Sequence, residues 1–240
     1  MDAIYMVRHP KCRAAPGLDA YGRPLLPLER FLLEEAPIIL ATQQRGEIFQ
    51  KLLQGKMTDY AQFASLPCGL MYDLASLKPA LNFKAYGIDL DQAALDLAVK
   101  VAQAYSIDAE LVCEDAWQLS LSNTLDVLCS NGLTIYEPDD DRVQVFYQKC
   151  YQALKPNGCL IVSFLTFPLA YPDSEWVIDE VNVAAAQKQR IVFSDIIGTQ
   201  FQCYRSYATT YQQLEEVGFS QIEFIDGYAR IFPTVVAYKI

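Results

Sequence analysis

The 240-residue sequence contains a single histidine, His9, and no cysteine pair spaced C-x-x-C. That leaves no cluster spaced to ligate zinc, and no metal is expected. The seven cysteines are scattered. Cys68, Cys113, Cys129 and Cys159 lie in apolar, strand-like surroundings, where free thiols behave as small hydrophobes in a reducing compartment. Basic residues are scarce: 19 lysines and arginines face 29 aspartates and glutamates, for a net charge of −10. Nucleic-acid binding rests on neutralising phosphates, so this balance argues against a nucleic-acid substrate. No apolar run approaches the roughly 18 residues of a membrane span, and the first residues lack a signal-peptide core. These absences predict a cytoplasmic protein with no membrane or nucleic-acid partner; the acidic balance and an apparent N-terminal cap favour a small-molecule substrate, and the expected state is a monomer or homodimer.

What is present describes a well-cored globule, with 52% apolar and 20% charged residues. The length suits one large domain, or one domain with an appended cap. Residues 1–25 are rich in proline, glycine and charge and read as an irregular arm. From Pro27 to Gln54 the apolar spacing is helical, with a break near Pro37 and a stop at Gly55. Strand and helix then alternate. Strands are predicted at residues 62–66, 83–88, 109–113, 125–129 and 159–165, which indicates a mostly parallel sheet covered on both faces. Between them, Ala94, Leu95, Ala98, Val101, Ala102 and Tyr105 share one helical face behind Asp91 as cap. Val143, Phe146, Tyr147, Cys150 and Leu154 share another, with Pro138 in the first turn of that helix. Residues 166–205 break the rhythm and read as a functional insertion with its own helices. A helix capped by Thr209 or Thr210 and ended by Gly218 follows. The last two strands, residues 221–225 and 231–238, are joined too tightly for a crossover and should be antiparallel.

The chain turns on residues 62–91. A strand leads into the turn Pro67-Cys68-Gly69, a helix follows, and a second strand ends on Asp89, twenty positions after Gly69. This is about the spacing at which an α/β nucleotide-binding unit sets an acid on a ribose after a glycine turn. Each piece also has a plain reading. Asp89 would cap the next helix, Asp115-Ala116-Trp117 would be a capped turn with a core tryptophan, and Asn131-Gly132 a simple turn. Their joint order carries more weight than any member.

In that order the chain resembles the class I S-adenosylmethionine-dependent methyltransferases over about residues 56–240. LPCG stands at the glycine-rich loop and GIDLD at the second-strand acid. EDAW stands at the adenine contact, LKPNG before the fifth strand, and LEEVGF before the antiparallel finish. The resemblance implies a Rossmann-like, doubly wound, seven-stranded α/β domain. It also implies S-adenosyl-L-methionine as cofactor, with S-adenosyl-L-homocysteine as product, behind an N-terminal helical cap (residues 1–55) and a lid-like insertion (residues 166–206). It assigns Pro67, Cys68 and Gly69 to the methionine end of the cofactor, with Asp89 on the ribose hydroxyls. Leu90, Asp115, Ala116 and Trp117 fall around the adenine, and Ser130, Asn131 and Gly132 at the fourth-strand edge. Ser65, Pro67 and Met71 depart from the family turn, where an acid and two further glycines are usual.

Displacement at a sulfonium needs an aligned acceptor and no obligatory catalytic group, so proximity supplies most of the rate. Tyr136 is the candidate for orienting that acceptor, or else a pocket wall, whereas His9 in the arm reads as a surface residue. Tyr5, Tyr21, Tyr171, Trp176, Phe201 and Tyr204 would furnish the lid. Nearby Arg205 reads as a solvated surface residue, or else an anion binder. Two other readings share the strand-turn-helix: a degenerate methyltransferase-like binding protein, and an NAD-type oxidoreductase whose three-glycine fingerprint PCGLMYD lacks.

Overall fold

The computed structural model describes residues 16–19, 22–77, 82–199 and 203–240. The expectations for Tyr5, His9, Tyr21 and Phe201 lie outside the described residues. A seven-stranded sheet runs through the chain in the order β3-β2-β1-β4-β5-β7-β6. Its strands are β1 (Ala61–Ser65), β2 (Phe83–Asp89), β3 (Ala109–Cys113), β4 (Leu125–Ser130), β5 (Leu154–Ser163), β6 (Phe219–Ile225) and β7 (Thr234–Lys239). The first five are parallel neighbours, and β7 runs antiparallel between β5 and β6. The chain winds outward from β1 to β3, then returns to β4 on the other flank of β1. The β1–β4 boundary is therefore the topological switch point, where open α/β sheets bind ligands beyond the carboxyl ends of their strands.

Alternating side chains give the sheet two apolar faces. Ala64, Tyr86, Leu128, Leu160, Val162 and Val235 pack on one side, with Phe146 and Tyr147 of helix α5 (Asp140–Ala153) and Leu214 of α7 (Tyr207–Val217). Phe63, Ala85, Val127, Cys129, Ile161 and Val236 face the other side. There they meet α2 (Pro37–Gly55) through Phe49 and Leu53, α3 (Tyr72–Ala75) through Leu74, and α4 (Gln92–Ala104) through Leu95 and Ala98. Each fully buried Leu or Phe contributes about 1.5–3 kcal/mol of transfer free energy.

The first helix, α1 (Pro27–Arg30), continues as a π-helical turn, Phe31–Glu35, and Pro37 opens α2 at its first position. Ahead of the core, Phe31 and Ala36 pack against Ala185 and Val192 of α6 (Val183–Arg190) and the π turn after it. The Ile38 N–H donates to Gln189 Oε1 at 2.7 Å, which satisfies one orphan donor at the start of α2. N-terminal helices and insertion thus form one layer. Among the described residues no helix is long and apolar enough to cross a membrane.

Several local expectations shift. Asp139 rather than Pro138 begins α5, because its carboxylate accepts from the Asp141 and Arg142 N–H groups. Ser206 caps α7 in place of Thr209 or Thr210, accepting from the Thr209 N–H at 3.0 Å. Leu154 is buried as predicted but opens β5 rather than ending a helix. Asp91 caps α4 and Gly218 ends α7 with φ +110, as expected. Tyr105 leaves the α4 stripe and is 45% exposed, with its ring edge-on to Tyr72. Cys113 is exposed at the sheet margin, whereas Cys68, Cys129 and Cys159 are buried. Burial pushes the Cys159 thiol up to about 11.

The largest correction concerns Arg205, which is buried rather than solvated. Its guanidinium donates to Asp140 Oδ1 at 2.7 Å, to the Thr134 carbonyl at 2.8 Å and to the Glu137 carbonyl at 2.6 Å. It ties the segment after β4 to the start of α7. Arg205→Met should strand two carbonyls and cost about 2–5 kcal/mol, lowering the melting temperature by about 5–15 °C. Asp140→Asn, at a carboxylate 61% exposed, should cost little. Thermal melts of both variants check this; a change under about 2 °C for Arg205→Met would show that the network is dispensable.

Candidate functional site

The turn after β1 is pinned to both neighbouring strands by its own backbone. The Leu66 N–H donates to the Cys129 carbonyl of β4 at 2.9 Å, and the Cys68 N–H to the Ile88 carbonyl of β2 at 2.8 Å. The Leu66–Pro67 peptide is cis. Gly69 has φ +50, and a Cβ built there would meet nothing within 4 Å. Its N–H donates to Asp89 Oδ2 at 2.8 Å. Pro67-Cys68-Gly69 and Asp89, predicted as one unit, are joined by this hydrogen bond. The other oxygen of Asp89, Oδ1, accepts from the Asp91 N–H at 3.0 Å. Capping of α4 falls to Asp91, through the Ala93 N–H, so Asp89 is not needed as a cap.

Leu90 follows with 70% of its surface exposed, an apolar side chain left open beside the acid. Across β3 the predicted Asp115-Ala116-Trp117 forms a short 3-10 turn. Asp115 caps it, accepting from the Trp117 N–H at 3.0 Å and from Gln118 Nε2 at 3.4 Å. The Trp117 indole packs 5.7 Å from Phe146, lies under the Arg142 guanidinium and donates to the Arg142 carbonyl. The plain reading of a capped turn with a packed tryptophan therefore holds here, whatever else these residues do.

At the end of β4, Ser130 is buried, and its Oγ has no hydrogen-bond partner among the described residues; nor does Asn131 Oδ1. Ser163 Oγ, at the end of β5, is in the same position. Buried polar atoms are normally paired, and these three lie at the carboxyl edge, where doubly wound sheets bind ligands. Gly132 has φ +89, and a Cβ there would lie 2.8 Å from Arg45 Nη1. The glycine is what lets Arg45 approach. Tyr136 closes the 3-10 turn Leu133–Tyr136 and is 67% exposed.

Two residues at this edge escaped the sequence reading. Arg45 lies on the buried stripe of α2, stepping by four through Ala41, Arg45, Phe49 and Leu53, and its guanidinium sits 4.4 Å above the Phe232 ring. A lone cation in an apolar stripe was the available signal. Asp73, on α3, accepts from the Ser65 hydroxyl at 2.5 Å. Nothing in the spacing pointed to it. Of the proposed lid aromatics, Tyr171 and Tyr204 join Phe167 in a cluster with centroids 5.5–5.8 Å apart. Trp176 donates from Nε1 to Thr166 Oγ1 at 3.0 Å. Among the described residues no group of three or more His, Cys, Asp or Glu could hold a metal ion.

A family model described as a methyltransferase domain matches residues 64–158, the stretch from β1 to β5. The chain is 34% identical over 189 residues to a carboxy-S-adenosyl-L-methionine synthase of Helicobacter hepaticus, spanning 71% of this chain and 76% of that protein. A solved structure of a possible exported protein from Bordetella parapertussis is 40% identical. It matches with a TM-score of 0.89, over 98% of this chain and 77% of that one. The magnesium protoporphyrin IX methyltransferase of Synechocystis PCC 6803, solved with bound SAH, shares the fold at 15% identity. There the TM-score is 0.61, with 90% of this chain and 89% of that one covered. With this sheet order and these relatives, the chain belongs to the class I S-adenosylmethionine-dependent methyltransferase family.

Proposed function

We propose that the protein transfers the methyl group of S-adenosylmethionine to a small-molecule acceptor by direct displacement. The observation that carries this reading is the joined pair at the carboxyl ends of β1 and β2, beside the switch point, where the Gly69 N–H is bonded to the Asp89 carboxylate. A carboxylate has about four acceptor positions, and Asp89 uses two on backbone N–H groups. Both ribose hydroxyls can take the others. The adenine then lies on Leu90, with Asp115 and the Ala116 N–H at its polar edge and Trp117 as a fixed wall. The methionine end passes the Pro67-Cys68-Gly69 turn toward β4, where Ser130, Asn131 and Gly132 line its path.

The acceptor approaches from the side of Tyr136, which orients it. Residues 27–55 and the described parts of the insertion, residues 166–199 and 203–206, form the cover that holds it against the methyl carbon and excludes water. Arg45 brings a positive charge to this end, which suits an anionic acceptor. An NAD-type oxidoreductase finds no support, since the turn carries one glycine where that reading needs three.

A second reading has a specific observation behind it. The Helicobacter hepaticus relative is named for a product that is itself a modified S-adenosylmethionine. An enzyme of that kind would use the same nucleoside contacts and put the new group on the cofactor. Mass spectrometry of reactions with methyl-labelled S-adenosylmethionine and a metabolite extract separates the two readings. Label in a new small molecule supports methyl transfer, whereas mass gained by the cofactor supports the second.

Two variants test the nucleoside contacts by calorimetric titration with S-adenosylhomocysteine. Asp89→Ala should weaken binding by about a hundredfold, the loss of two charge-assisted hydrogen bonds. Gly69→Val should abolish binding while the protein stays folded. Its strain at φ +50 is of order 1–2 kcal/mol, and its side chain enters open space. Unchanged affinity in both would remove the ligand from this turn.

A further inference from the structure

S-adenosylmethionine carries an ammonium on its amino-acid end, and β1 ends in Ser65 rather than an acid. Asp73 brings a carboxylate to that place from the following helix. Its Oδ2 accepts from the Ser65 hydroxyl at 2.5 Å and lies 3.4 Å from Cys129 Sγ, while its Oδ1 accepts from the Leu74 N–H. Ser65 and Cys129 are direct partners in the β1–β4 register. The carboxylate is therefore held at the carboxyl ends of the two strands that form the switch point. Among the described residues no lysine or arginine forms an ion pair with it. Its charge reaches the turn: the Cys68 thiol is pushed up first by burial and then by Asp89 and Asp73, and that of Cys129 by burial and Asp73.

The sheet order gives the direction. Asp115 follows β3 and Asp89 ends β2, so a nucleoside lying across them points along β3-β2-β1-β4. Strands are about 4.8 Å apart, and the next step along that line is the β1–β4 edge. We propose that Asp73 binds the α-ammonium of the cofactor's methionine moiety and stands in for the acid that β1 lacks. The inference rests on the cofactor reading above. Ser65 and Cys129 hold the carboxylate by single donors, which leaves it acceptor capacity and an uncompensated negative charge for the ammonium.

The test compares two ligands that share the nucleoside and differ in the amino-acid end: S-adenosylhomocysteine, and 5′-methylthioadenosine, which has no ammonium. Asp73→Asn retains an acceptor for the Ser65 hydroxyl, so the turn should stay folded, as a thermal melt would verify. Calorimetry should show S-adenosylhomocysteine weakened by about ten- to a hundredfold, the range for a lost hydrogen bond to a charged group. Binding of 5′-methylthioadenosine should change by less than about twofold, because no contact to it is removed. Adding Ser65→Asp to Asp73→Asn returns the charge to β1 and should recover much of the loss. Equal weakening of both ligands would make Asp73 a support for the turn and overturn the proposal; so would an unchanged affinity for S-adenosylhomocysteine. A wild type that binds neither ligand overturns the cofactor reading itself, and this inference with it.

Discussion

The backbone of residues 66–71 leaves β1 and is tied to both of its neighbours, β4 and β2, and the rest of the site depends on it. Leu66 is bonded to β4, Cys68 to the end of β2, and Gly69 to the side chain that terminates β2. These contacts fix the height of the turn above the sheet and the orientation of Asp89. They also require left-handed backbone at Gly69 and again at Met71, φ +56. Here the fully buried Met71 accepts the less favourable conformation and fills space beneath the turn with its side chain. The buried surroundings of Met71 hold it in this conformation.

The same economy accounts for the charges at this edge. β1 ends on Ser65, and a carboxylate is brought to it from α3 by Asp73, which accepts from the Ser65 hydroxyl at 2.5 Å. Arg45 arrives from α2, a helix whose other buried positions are apolar. Both side chains reach the switch point because α2 and α3 lie on one face of the sheet, where Phe49, Leu53 and Leu74 share a core with Phe63 and Val127. The N-terminal segment is thereby continuous with the nucleotide-binding unit at its C-terminal half. Its N-terminal half joins the insertion through Phe31, Ala36, Ala185 and Val192. The proposed cover is a layer shared by two distant parts of the chain rather than a separate appendage.

The fold was legible because its signals are periodic. Alternating strands, the helical stripes of α4 and α5 and the Asp91 cap are properties of neighbouring residues, and the antiparallel ending follows from a link too short for a crossover. The pairing of Gly69 with Asp89 was legible for a similar reason, since their separation is set by the length of one strand-turn-helix-strand unit. The misses are tertiary. Arg205 looked like any arginine after an insertion, and only the approach of the segment between β4 and α5 buries it. Trp117 packs 5.7 Å from Phe146, a contact between distant stretches that no local pattern displays. Arg45 lies far in sequence from the β4 edge it approaches, and although Asp73 follows Ser65 closely, no local pattern distinguishes an acid at a helix start from an acid at a site.

The central claim is that the carboxyl edge spanning β3, β2, β1 and β4 is a nucleoside-sulfide site. A crystal structure of the protein grown with S-adenosylhomocysteine tests it most directly. The account predicts the ribose on Asp89 and the homocysteine tail crossing the Gly69 turn toward β4, with partners gained by Ser130 Oγ or Asn131 Oδ1. A saturated crystal whose edge stays empty, or a ligand bound elsewhere on the molecule, would contradict it.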